Sequence, residues 1–223
     1  MSGRGHLVAR APVGGGLSRV TLEVPPEVSR TYRHAGQYIE VAVGPARGYF
    51  ALAGVVGADA WELLVKSSGG ASEALLTSSL GASVDVSDAL GDGFGDAVER
   101  AEHLVVVAAG SAVAVVPPLV ARRSARMGST HLYVGVRTPA EAPLLEELRE
   151  WARCGATVTL CASQGAGVAP AELRVFDGRA QRALTSDLPR LARPLAVVAA
   201  GPDGLVADLR ALSGGDLWVY TNV

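Results

Sequence analysis

The chain is poor in several features that would announce a function. Two cysteines in 223 residues, Cys154 and Cys161, are too few for a disulfide framework, a Cys₄ iron–sulfur centre or a structural zinc site. The four histidines, His6, His34, His103 and His131, have no metal-ligand spacing, so no metal is expected. An excess of one charge is also missing. With 20 Lys+Arg against 22 Asp+Glu the formal net charge is −2, which offers no electrostatic footprint for nucleic acid or an anionic membrane surface. Lysine occurs once, as Lys66, and every other fixed cation is arginine. The first thirty residues carry Arg4, Arg10, Arg19, Glu23 and Glu27 and no continuous apolar core, so no secretory signal is expected and the expected compartment is the cytoplasm. Ser186-Asp187 and Ser213 lack a histidine partner or a nucleophile elbow, which leaves a hydrolase without support.

What is present is apolar. At 49% hydrophobic and 19% charged residues the chain is ordered and has material for one large core or two modest ones. Residues 104–121 (LVVVAAGSAVAVVPPLVA) form an uncharged run about as long as a membrane span. Its first half is β-branched, Gly110 and Ser111 interrupt it, and Pro117-Pro118 stops or starts a helix. The run therefore reads as a buried strand, a tight turn and a helix start, and no membrane insertion is expected.

Two rhythms divide the chain. Residues 6–11, 18–24, 37–43, 49–55, 61–65 and 83–86 read as short strands with Gly and Pro punctuation, and residues 72–78 as the one helix, with Ser72 at its N-cap. From Glu99 onward apolar β runs at 103–109, 131–136, 157–162, 195–200 and 216–220 alternate with amphipathic stretches. The clearest of these is 140–153, with Leu144, Leu145, Leu148 and Trp151 on one face. The expectation is a β plus α/β chain: an N-terminal antiparallel Greek-key barrel with one helix over 1–98, and a C-terminal five-stranded parallel, doubly wound sheet over 99–223. Ligands of such a sheet sit at the carboxyl ends of its strands.

Three segments carry candidate chemistry. Arg47-Gly48-Tyr49-Phe50-Ala51 reads as an edge strand with a barrel-lining tyrosine, or as a site where Arg47 pairs with a phosphate and Tyr49 lies on a flat heterocycle. Gly69-Gly70-Ala71-Ser72, just after Lys66, reads equally as an ordinary turn and helix start, or as backbone N–H groups presented to an anion. Gly110-Ser111-Ala112 and Gly201-Pro202-Asp203 follow parallel strands, where a sheet needs tight turns with or without a ligand.

The order of these motifs is more specific than any one of them. Gly36-Gln37-Tyr38, then Arg47-x-Tyr49, then Val65-Lys66 with Gly69-Gly70-x-Ser72, then Leu90 to Phe94 (LGDGF), followed by a parallel α/β half, resembles the ferredoxin–NADP reductase-like flavoprotein family over essentially the whole chain. It is most similar to the short members without an iron–sulfur domain. The resemblance implies FAD on the barrel and NAD(P)H on the α/β domain. It assigns Arg47 and Lys66 to the FAD diphosphate or ribityl region, Tyr49 to the isoalloxazine, and Gly70, Ala71 and Ser72 to the pyrophosphate. Phe50 and Ala51 follow in the same strand. Gly110, Ser111, Gly201 and Pro202 form the dinucleotide cleft, with Ala112, Arg137 and Asp203 in the same loops.

The sequence also departs from the family pattern. Phe50 replaces the Ser or Thr that hydrogen-bonds flavin N5, with a ring that could crowd the hydride path. Ala112 and Val115 replace a glycine and a proline of the nucleotide loop, and Ala200 replaces the cysteine beside the nicotinamide. Gly135-Val136-Arg137 and Gly178-Arg179-Ala180-Gln181 resemble smaller landmarks. Ser163-Gln164 lacks an adjacent arginine for a 2′-phosphate, and Tyr220 reads as a final-strand tyrosine. The resulting expectation is an FAD-dependent oxidoreductase passing hydride from NAD(P)H to flavin and electrons to an unidentified acceptor. The alternative is a reductase-like flavin-binding or regulatory protein with weakened or lost NAD(P)H turnover.

Overall fold

The computed structural model describes residues 2–168 and 170–221. The first half holds six strands: β1 (Ser2–Pro12), β2 (Leu17–Glu23), β3 (Tyr38–Val43), β4 (Ala46–Ala51), β5 (Ala60–Lys66) and β6 (Ser83–Ser87). They run antiparallel in the order β4-β3-β6-β1-β2-β5. A bridge between Leu52 and Leu63 joins the two ends into a Greek-key barrel. Its core is built from Leu7, Val20, Leu22, Ile39, Val41, Trp61, Leu63 and Leu75, all buried.

Helices in this half are α1 (Pro26–Ser29), a single turn opened by proline, α2 (Gly70–Thr77), and α3 (Gly95–Glu99), which leads into the second half. The expected lone helix is thus joined by α1 and α3, of four and five residues, too short for periodicity to mark. Helix α2 begins two residues before the expected start, and its N-cap is Gly69 rather than Ser72.

The second half is a parallel sheet of β7 (His103–Ala109), β8 (Thr130–Val136), β9 (Thr157–Ala162), β10 (Arg174–Asp177), β11 (Leu195–Ala200) and β12 (Leu217–Tyr220). Its order is β10-β9-β8-β7-β11-β12. Six strands stand where five were expected. The unexpected β10 is a four-residue edge strand with half its residues exposed, so its sequence has no apolar run. Helices α4 (Val116–Ala121), α5 (Leu145–Arg153), α6 (Ala180–Asp187) and α7 (Asp203–Arg210) cover the sheet. The expected helix over 140–153 is cut short because Pro143 forces Ala142 out of helical geometry (ψ 123°), and α5 starts only at Leu145.

Period-two alternation divides the apolar runs between two cores. Along β7, Leu104, Val106 and Ala108 face one layer, while Val105 and Val107 face the other. In β11, Ala196, Val198 and Ala200 alternate likewise with Leu195, Val197 and Ala199. The first layer does not stop at the domain boundary. Leu17, Ala35, Ala53, Leu64 and Phe94 of the barrel half belong to it, together with Val113 to Val116 of the sheet half. The two halves therefore share apolar packing.

Polar ties supplement that packing. The β1–β2 turn reaches the second half, where Leu144 donates its N–H to the Val13 carbonyl at 2.7 Å. Gly14, at φ +83°, is held so close that an added Cβ would sit 2.6 Å from the Ala142 carbonyl oxygen. Arg19 binds Glu147 at 2.7 Å and Glu62 at 3.4 Å, joining β2 and β5 to α5. Arg123 is buried, and its guanidinium donates to Thr130 Oγ1 at 2.8 Å and to the Ala101 and Glu102 carbonyls at 2.5 and 2.9 Å, fastening the link between the halves. Among the described residues, no helix is long and apolar enough to cross a membrane.

Candidate functional site

Two regions bring the sequence-selected residues together. The first is the outer face of β4. Alternation puts Arg47 and Tyr49 outward, with Tyr49 68% exposed, and turns Gly48 and Phe50 the other way. Tyr38, on the neighbouring strand, meets the Tyr49 ring edge-on at 5.9 Å and 78°, which holds that ring as an open platform. Arg47 lies 3.6 Å from Glu40 and is otherwise exposed. Phe50 packs against the barrel core, its ring near Gly48 and away from Tyr49. Gly48 is needed for this packing, because an added Cβ would come within 3.2 Å of both the Phe50 ring and Ala71 at the start of α2.

That start is open. Gly69 and Gly70 have φ of +85° and +57°, both are exposed, and nothing lies within 4 Å of where their Cβ atoms would be. Ser72 is buried, and its hydroxyl is spent within the chain. It donates to the Gly69 carbonyl at 2.8 Å and accepts from the Ser68 N–H at 3.1 Å. Ser72 therefore shapes the turn, leaving the first-turn N–H groups of α2 to face outward.

The second region is a cleft of about 500 Å³ at the carboxyl ends of the parallel strands. The chain runs outward from β7 through β8, β9 and β10, then returns to place β11 on the other side of β7. The topological switch point thus lies between β7 and β11. Ala109 at the end of β7, Gly110 and Ser111 just beyond it, and Pro202 and Leu205 after β11 line the cleft there. Arg137 lines it too, tied to Glu141 at 2.8 Å.

Of the residues selected from the sequence, Lys66, Gly110, Ser111, Arg137 and Pro202 meet in this cleft. Ala112 packs against the shared core, Gly201 lies beside Ala109, and Asp203 is exposed at the first turn of α7. Lys66 is notable for its position. It ends β5 opposite Leu17 and reaches the sheet-side cleft, so one wall of that cleft belongs to the barrel.

The structure adds Gly15, Ser163, Arg179 and Gln181 to the lining. Arg179 opens α6 and comes to the same cleft as Ser163, where adjacency in sequence offered no arginine. The Gly178-Arg179 pair was its only signal. Three cations, Lys66, Arg137 and Arg179, then face one carboxylate, Glu141. Cys161 also lines the cleft, and burial raises its thiol to about 12, so it is a neutral packing group there. One cluster hidden by sequence distance is His34 with Asp96 and Glu99, whose ligand atoms lie within 4.8 Å of one another. Both carboxylates already have arginine partners, Arg100 at 2.9 Å and Arg122 at 3.7 Å, and the Arg122–Glu99 pair ties the second half to the first.

No protein-family profile matches the chain, and no curated sequence is similar to it. Solved structures are. The Amycolatopsis reductase GcoB is 22% identical with a TM-score of 0.77, the match covering all of this chain and 70% of that one. A ferredoxin NADP+ reductase from Neisseria gonorrhoeae, solved with bound FAD and NADP, is 14% identical with a TM-score of 0.76, over 100% and 99% of the two chains. Phthalate dioxygenase reductase is 21% identical with a TM-score of 0.71, over 98% and 67%. The chain thus has the two-domain fold of the ferredoxin–NADP reductase-like FAD- and NAD-binding proteins.

Proposed function

We propose that the protein is an FAD-dependent oxidoreductase that takes hydride from NAD(P)H and delivers electrons to a partner. The observation that carries this reading is the pairing of an open aromatic platform on the barrel with a cationic cleft at the switch point, the cleft walled by both halves. Its volume of about 500 Å³ falls in the range of small-molecule and cofactor sites. The solved reductases of the same fold support the reading, one with FAD and NADP bound and another described as transferring electrons from pyridine nucleotides to a 2Fe–2S centre.

When bound, flavin and nicotinamide supply the redox chemistry themselves. The chain's residues bind and orient. Tyr49 offers its exposed face to a flat ring, Arg47 pairs with phosphate, and the first turn of α2 at Gly69, Gly70 and Ala71 presents N–H groups to an anion. Across the junction, Gly110, Ser111, Gly201 and Pro202 allow close backbone approach, while Lys66, Arg137 and Arg179 attract phosphates. Ala51, Ala53, Leu64 and Val113 to Val115 pack the space between the halves with apolar groups and keep water from it. No side chain is assigned proton transfer.

Ala112, Val115 and Ala200 favour the second reading, a flavin-binding protein without nicotinamide turnover, because each lacks a group of the family's nucleotide loops. One experiment separates them. Purified protein is expected to be yellow and to bleach on anaerobic addition of NADPH or NADH. A flavin that stays oxidised with both supports the second reading, and a colourless protein that takes up no added FAD overturns the first.

A further inference from the structure

At the end of the parallel sheet opposite the cofactor cleft, polar side chains gather where buried strands are usually apolar. His131 of β8 and Thr157 of β9 are register partners, and two residues further on Tyr133, Thr159 and Arg174 line up across β8, β9 and β10. Alternation puts all five on one face, the face covered by α6. Asp187, the last residue of α6, accepts a hydrogen bond from the Tyr133 hydroxyl at 2.8 Å and lies 3.4 Å from the Arg174 guanidinium. The Thr159 hydroxyl is buried and, among the described residues, has no hydrogen-bond partner.

Above this row lies a pocket of about 290 Å³, lined by His131, Tyr133, Thr157, Arg174, Asp187 and Arg190. It is separate from the cofactor cleft. Along β8, Gly135, which lines that cleft, lies four positions beyond His131, about 13 Å, and two beyond Tyr133, about 7 Å.

The charges do not balance. Arg174 is shared with Asp187, while Arg190 has no ion-pair or hydrogen-bonding side-chain partner among the described residues. Burial holds His131 below its ordinary value, with His103 and Arg174 acting the same way and only Asp187 opposing, so the imidazole is neutral at pH 7. One positive charge is left over beside a neutral ring nitrogen and a hydroxyl. The space admits roughly ten non-hydrogen atoms, far fewer than a dinucleotide.

We propose that this pocket is a second ligand site for a small oxyanion, a hydroxy-carboxylate or a phosphate, gripped by Arg174 and Arg190 and oriented by His131 and Thr157. It lies outside the machinery of hydride transfer and does not depend on the reductase reading. The guanidinium forks match either anion.

The test follows the His131 imidazole by NMR in the full chain at pH 7, titrated with lactate and separately with inorganic phosphate, without nucleotide. The expected result is a saturating His131 shift with a Kd of about 1 mM or below for at least one probe, and an imidazole pKa that rises on binding. Whichever probe saturates identifies the anion class. Arg190→Ala, at an exposed side chain without structural bonds, is expected to weaken binding about tenfold or more, and Arg179→Ala in the other cleft to leave it unchanged. A His131 signal that neither anion moves, or that moves equally in Arg190→Ala, overturns the proposal. NADPH bleaching is scored separately, so failure here leaves the reductase reading untouched.

Discussion

Tyr49 and Phe50 are adjacent in sequence and opposite in placement, so replacing each by alanine separates ligand binding from stability. Tyr49 is 68% exposed and touches the Tyr38 ring at 5.9 Å. Losing that edge contact costs about 0.5–1.5 kcal/mol at most. A flat ring stacked on Tyr49 gains about 1–3 kcal/mol by analogy with bases on aromatic platforms. Tyr49→Ala is therefore expected to weaken FAD binding about 5- to 150-fold while the urea midpoint moves little. Phe50 is half-buried against the barrel core. A fully buried Phe→Ala costs about 3–5 kcal/mol, so roughly 2 kcal/mol is expected for Phe50→Ala, with FAD affinity of the folded protein kept. Flavin-fluorescence titration and urea denaturation read the two quantities. If Phe50→Ala loses FAD as badly as Tyr49→Ala without losing stability, the assignment of the two faces of β4 to ligand and core is wrong.

Three further outcomes are expected. Arg123→Met leaves the Ala101 and Glu102 carbonyls without their charged donor, and is expected to destabilise by about 3 kcal/mol; a urea-derived loss under about 1 kcal/mol would show that water replaces the guanidinium. Arg179→Ala is expected to raise the KM for NADPH about tenfold or more while leaving NADH unchanged, and an equal effect on both would move Arg179 away from a 2′-phosphate. Because burial lowers the His131 pKa from 6.5, the folded state binds its proton less readily than the unfolded one. Its contribution is present above pH 6.5 and fades as pH falls through the folded value, so the urea midpoint should drop on acidification and drop less in His131→Gln.

Much of the candidate site was legible because its turns are local. Gly69-Gly70 before α2, and Gly110 and Gly201-Pro202 after strands, mark turns that any backbone of this kind must make, and alternation around Tyr49 tells which neighbours share its face. Where local signals compete, one of them overrides the other. Ser72 has the composition of an N-cap yet sits within the first turn, because Gly69 with positive φ begins the helix and takes Ser72's hydroxyl onto its own carbonyl. Pro143 broke an otherwise persuasive amphipathic pattern by the geometry it imposes on Ala142.

The lone lysine and the scattered histidines show where the limit falls. Composition and periodicity by themselves determined an ordered chain with a strand-rich first half and a parallel α/β second half, since those follow from side-chain spacing along one backbone. Only the tertiary structure decided that Lys66 stands on the wall of the sheet-side cleft, that Arg179 joins Ser163, that His34 meets Glu99, and that His131, Tyr133 and Arg174 share a pocket. The physical reason is that strand order and the docking of the two halves bring together residues far apart in the chain, and no local pattern encodes which end of a strand will face which neighbour.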